Sequence, residues 1–176
     1  MPQVAVITGT CAGTNAINAA AADVCVMAED AELFLNAPFN AEDKVANAGS
    51  AAFAAKAGVA AVTAADAVAA AKQAASIVAL LPANNLAGPA LFDFAAPSKA
   101  LDLVKYSAAD AIAALADEGS TVELYAGYGK NIVTALATIN GSAVGILATE
   151  KAALCHKCTA KVPASFVCAM PTASPL

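Results

Sequence analysis

Basic and aromatic residues are scarce in this chain, and histidine occurs once. Lysine and arginine total 9 against 14 acidic residues, for a net charge of −5, and aromatics make up 5%. With neither a basic stripe nor interleaved aromatics, nucleic acid is not an expected partner. The lone His156 gives no Ser–His–Asp or Cys–His arrangement to build on. No apolar run reaches membrane length, because the best candidate, residues 64–81, is interrupted by Asp66, Lys72 and Gln73. No basic flank precedes an apolar run at the amino terminus, so no signal peptide is expected and the cytoplasm is the expected location. Five cysteines are an odd number for a disulfide framework. Cys155 and Cys158 form a CxxC around His156, but no second CxxC or CxxH supplies the other ligands of a zinc site, so no metal is expected. They read instead as buried thiols of a reducing cytosol, on a helix that places Leu154, Cys155 and Cys158 on one face.

What remains is alanine. It drives the 60% hydrophobic content and the mean hydropathy of +0.66, and it implies close helix packing with little side-chain chemistry. The 176 residues suffice for one domain or two small lobes. The organising stretch is 3–22, read as a strand (4–8), a small-residue turn (9–13) and a helix opening at Thr14. Such a turn leaves backbone N–H groups uncovered where the helix dipole favours negative charge. An oxyanion hole, a phosphate cradle and a plain strand-to-helix turn all fit it.

Strands are expected at 23–27 and 32–35, the second ended by Asn36 and Pro38. Residues 39–58 read as a loop with a short helix over 50–56, followed by a strand at 59–62. The clearest helix is 63–81, with Thr63 as N-cap and Asp66 three residues on. An apolar stripe of Val68, Ala71, Ala75, Val78 and Leu81 marks core or a subunit contact, and Pro82 stops the helix. Prolines and glycines make 82–99 an irregular connector. Ser107 caps a helix to 116, closed by Gly119, and a strand follows at 121–124. Asn140-Gly141 between the apolar runs 132–139 and 142–147 signals a hairpin. Thr149 is expected to cap a last helix to 157, with a strand at 162–168 and a turn-like tail from 170. The pattern is α/β without clean doubly wound alternation.

Three stretches together resemble the carboxyltransferase subunits of biotin-dependent acyl-CoA carboxylases and decarboxylases. They are PQVAVITGTCAG at 2–13 with DVCVMAEDAELFLNAP at 23–38; LLPANN at 80–85; and YGKNIVTALATINGSAVGILA at 128–148, followed by KAALCHKC. The resemblance covers nearly the whole chain but only the middle of the family's length. It implies an incomplete crotonase-like (ββα superhelix) fold. Residues 1–82 would end the amino-terminal, acyl-CoA-side lobe, 83–99 would connect, and 100–176 would begin the carboxy-terminal, biotin-side lobe.

The resemblance further implies transfer of a carboxyl group between carboxybiotin, on a partner carrier protein, and a short acyl-CoA through a thioester enolate. Backbone N–H groups of Gly13 and Thr14 would hold the enolate oxygen. The family usually has glycine where this chain has Thr14, whose β-branch crowds the thioester. Cys11 and Ala12 match the supporting turn, and Lys130 is a candidate contact for an anionic ligand. No second, biotin-side glycine turn is found in the sequence, so the chain alone is not expected to complete the transfer. Other carboxylase subunits and an oligomer, homomeric or heteromeric, are expected. The alternative is a non-catalytic crotonase-like assembly module. A nucleotide-binding domain is weaker, because the glycine spacing is not a dinucleotide fingerprint.

Overall fold

The computed structural model describes residues 2–37, 47–84, 86–97, 99–102, 104 and 106–166. The chain divides into two compact units, Gln3–Ser76 and Ile77–Leu176 with the first two residues.

The first unit repeats a strand–strand–helix pattern. β1 (Val4–Ile7), β2 (Thr10–Ala12) and α1 (Thr14–Ala20) are followed by β3 (Val24–Ala28), β4 (Glu32–Phe34) and α2 (Ala51–Ala57), then by β5 (Val62–Ala64) and the start of α3 (Ala67–Leu80). The first strands of the repeats pair in parallel in the order β1-β3-β5, and the second strands form a separate parallel pair, β2-β4. β3, VCVMA, is buried at every position, as expected of the middle strand of a parallel sheet. Ser50 caps α2 by accepting from the Phe53 N–H, and Gly58 ends it in the left-handed conformation at φ 79°.

In the second unit β6 (Val122–Leu124), β7 (Ile132–Ile139) and β8 (Ser142–Thr149) form an antiparallel sheet with β7 in the middle. α4 (Ala108–Leu115) lies on one face, where Ala108, Ile112 and Ala116 meet Val133, Ala135 and Ala137. α5 (His156–Phe166) packs on β7 through the alternate residues. There Lys161 Nζ donates to the Ile132 carbonyl at 2.7 Å, and Ser165 Oγ donates to Thr134 Oγ1 at 3.1 Å. The β7–β8 turn has Asn140 at φ 51° and Gly141 at φ 75°, the two left-handed residues of a type I′ hairpin. Ser107 and Asp110 form a reciprocal capping box on α4, and Lys99 pairs with the same carboxylate.

Several sequence expectations are corrected. Residues 10–12 are not turn but strand β2, in register with β4. The strand expected at 59–62 is β5, at Val62–Ala64, so Thr63 is strand and Asp66 caps α3 by accepting from the Ala69 N–H at 2.7 Å. The buried face of α3 is Ala70, Ala74 and Ile77, continuing to Leu81, whereas Val68, Ala71, Ala75 and Val78 are exposed. Alanine leaves both faces apolar, so the stripe alone does not choose between them. Gly119 lies in a turn after α4, which ends at Ala116 in extended conformation. Thr149 ends β8 instead of capping a helix, and residues 162–166 are helix instead of strand. Leu154 and Cys155 precede that helix and are exposed, so they do not share a buried face with Cys158. Residues 167–168 of the expected strand, the tail from 170, Pro38, residues 39–46 and Asn85 lie outside the described residues.

Candidate functional site

The turn between β2 and α1 is built by two constraints. β2 holds Thr10, Cys11 and Ala12 opposite Glu32, Leu33 and Phe34. The chain then turns at Gly13, whose φ of 61° and ψ of −135° suit glycine and little else. The Gly13 carbonyl starts the helix by accepting from Ala16 at 3.0 Å. A Cβ placed on Gly13 would meet nothing within 4 Å among the described residues.

Its donors are unequal. The Gly13 N–H donates to the Phe34 carbonyl at 3.1 Å and extends the β2–β4 ladder by one bond. The Thr14 N–H, at the first helical position, meets no acceptor among the described residues. Nothing local in the sequence announces the capture of Gly13, because the run Thr10-Cys11-Ala12 carries no strand signal of its own. Cys11 is half-buried in β2, Ala12 is exposed beside it, and Lys130 is exposed in the other unit.

An open apolar cleft of about 390 Å³ lies among α1, β4 and α2, and its lining includes Ala16, Ile17, Ala20, Leu33, Phe34 and Phe53. It takes one side of α1 and the body of β4, so the Thr14 amide and the cleft share their supporting elements. Among titratable groups in this unit, burial pushes the Cys25 thiol up to about 11, with Cys11 adding to the shift. Cys25 is therefore a thiol at neutral pH and chemically quiet.

No second glycine turn opens a helix among the described residues. α2 and α4 are capped by serines, α3 by Asp66, and α5 follows Cys155. No group of three metal-ligating side chains occurs among the described residues, and no helix among them is long and apolar enough to cross a membrane.

Comparison with known proteins gives this geometry a family. The sequence matches the carboxyl transferase domain over residues 1–167. It is 32% identical over 167 residues to the methylmalonyl-CoA carboxyltransferase 12S subunit of Propionibacterium freudenreichii subsp. shermanii, covering 85% of this chain and 32% of that protein. A solved structure of transcarboxylase 12S, a hexamer with hydrolysed methylmalonyl-CoA bound, superposes with a TM-score of 0.73 at 31% identity, covering 85% of this chain and 33% of the other. A single-chain, multi-domain long-chain acyl-CoA carboxylase superposes with a TM-score of 0.76 at 24% identity over 94% of this chain and 18% of the other, a likeness of fold alone. The chain spans about a third of the length of the curated relative it matches. The α/β architecture is thus the crotonase-like one of carboxyltransferases, and the chain belongs to the carboxyl transferase domain family.

Proposed function

We propose that this chain is a component of a biotin-dependent acyl-CoA carboxyltransferase and carries part of its acyl-CoA side. Residues 1–82 belong on this reading to the acyl-CoA lobe, 83–99 connect, and 100–176 begin the biotin lobe. The observation that carries the reading is the Thr14 N–H, without an acceptor among the described residues, at the mouth of a helix whose Ala16, Ile17 and Ala20 line an apolar cleft. An amide fixed at that point stabilises an enolate oxygen as charge develops on it, without rearrangement. Gly13 supports the reading through its conformation more than its N–H, which Phe34 holds. Cys11 and Ala12, in β2, lead into the turn, and Lys130 lies in the other unit. Carboxybiotin, on a carrier protein, would supply the carboxyl group.

Calorimetric titration with acetyl-CoA and propionyl-CoA tests this. The parent chain is expected to bind. Thr14→Pro removes one N–H at a position where proline is well accepted, so the helix start persists. Gly13→Trp fills the open side of the turn. Gly13→Trp is expected to lose affinity tenfold or more by blocking the approach, and Thr14→Pro about fivefold, roughly the 1 kcal/mol of one hydrogen bond to a neutral carbonyl. A folded parent that binds neither thioester would overturn the reading.

A second reading, an assembly module, is favoured by the exposed face of α3, where Val68 and Val78 are 64% and 53% accessible. Sedimentation of the parent beside Val68→Lys would separate the two, since the module reading expects the variant alone to dissociate while thioester binding is absent from both.

A further inference from the structure

The CxxC has no part in the acyl-CoA reading, yet its geometry is specific. Cys155 is exposed immediately before the first residue of α5, and Cys158 is fully buried one turn on. Their sulfurs are 3.3 Å apart. A disulfide needs about 2.05 Å, so the two sulfurs have about 1.2 Å to travel. The Cys158 thiol and then the Cys158 and Lys157 amides hydrogen-bond the Cys155 sulfur and hold its pKa below the ordinary thiol value. This is the helix-mouth setting in which a thiolate is stabilised.

The neighbourhood keeps the pair in place. Asn131 Nδ2 donates to the Ala153 carbonyl at 2.7 Å, and the Glu150 N–H donates to the Asn131 carbonyl at 3.0 Å. Gly129, at φ 57°, brings its backbone so near α5 that a Cβ there would sit 3.0 Å from the Lys157 carbonyl oxygen and 3.2 Å from Cys158 Cα. Lys161, in the second turn of the helix and 1% exposed, interacts electrostatically with Cys158. One sulfur thus faces solvent and the other is sheltered beside it, the division of labour of an attacking and a resolving cysteine.

We propose that Cys155 and Cys158 are a redox couple that exchanges with low-molecular-weight disulfides. The Cys155 thiolate attacks one sulfur of the small disulfide, forming a mixed disulfide and releasing one thiolate, which takes up the proton Cys155 gave up. Cys158 then loses its proton and attacks Cys155 Sγ, which breaks the mixed disulfide and releases the second small thiol. The two protein thiols are oxidised by two electrons in all, and the small disulfide is reduced to two thiols. The couple is independent of thioester binding.

The full chain would be equilibrated in glutathione buffers of graded ratio, acid-quenched, alkylated and mapped by mass spectrometry. The expected result is a Cys155–Cys158 disulfide that appears along the series and is reversed by reductant, with Cys11, Cys25 and Cys168 still alkylated. Cys158→Ala should trap glutathione on Cys155, and Cys155→Ser should trap none. Under limiting iodoacetamide the reduced parent should modify Cys155 at least about tenfold faster than Cys25. The wild-type map needs no variant to fold. If both thiols stay free across the series, or if the disulfide forms between other cysteines, the proposal fails.

Discussion

Replacing Asp117 with alanine is expected to lower the melting temperature of the second unit by roughly 10 °C, since three donors lose their acceptor at once. The carboxylate is buried between α4 and the hairpin. It accepts from Thr138 Oγ1 at 2.8 Å, from the Asn140 N–H at 3.0 Å and from the Gly141 N–H at 2.8 Å. The Asp117 N–H donates to the Thr138 carbonyl at 2.8 Å, so this residue ties the end of α4 to the last residues of β7. Alanine leaves two turn amides and a buried hydroxyl without a partner. The substitution Asp117→Asn keeps one acceptor oxygen, and its melting temperature should fall between those of the parent and Asp117→Ala. Differential scanning calorimetry of the three proteins checks the order.

Acid should act on the same carboxylate. Burial by itself would raise the Asp117 pKa, but the hydrogen bonds from Gly141, Thr138 and Asn140 outweigh it, and the folded pKa lies below the ordinary value of 3.8. A depressed folded pKa means that the unfolded chain binds the proton first. Its contribution to stability is therefore full above the unfolded pKa and is lost as pH falls through the folded one. The parent should lose melting temperature below about pH 4 more steeply than Asp117→Ala, which has no such carboxylate to titrate.

Gly141→Val should be the most damaging single change in the hairpin, at about 3 kcal/mol or more. Gly141 sits at φ 75°, and a Cβ there would stand 2.4 Å from the Phe92 carbonyl oxygen. That neighbour is backbone and is held: the Phe92 N–H donates to the Gly141 carbonyl at 2.7 Å, and the Ala143 N–H to the Ala90 carbonyl at 2.9 Å. The variant must either expel the 90–92 segment or abandon the turn. Urea unfolding should show the loss, with Asn140→Gly near the parent as the control for turn geometry. Because Asp117 and Gly141 share a hydrogen bond, their losses should not add, and the double variant should cost less than the sum.

The hairpin is legible in the sequence because its signal is local: Asn-Gly fixes the turn and the flanking runs fix the register. The capping residue Ser107 is legible for the same reason. The carboxy-terminal helix is not. Residues 162–166 read as strand, since Val162 is β-branched and Pro163 disrupts helices. What decides them is distant, because the buried face of α5 is Cys158, Lys161 and Ser165, a spacing with almost no apolar signature. Its polar atoms are satisfied by β7, about thirty residues away in the chain. The site divides the same way. The glycine at the mouth of α1 stands out in the sequence, whereas the loss of its N–H to Phe34 depends on a three-residue strand, β2, that exists only because β4 lies beside it.

That polar face also limits how α5 can dock. Interchangeable aliphatic side chains would let a helix slide along a sheet among several near-equivalent seats. Lys161 and Ser165 accept only the seat in which the Ile132 carbonyl and Thr134 Oγ1 stand opposite them. A slip of one turn would carry the ammonium about 5.4 Å from its acceptor and strand a charge in the interior. The lysine thus works as a key cut for one lock, and it sets the position of everything else that α5 carries.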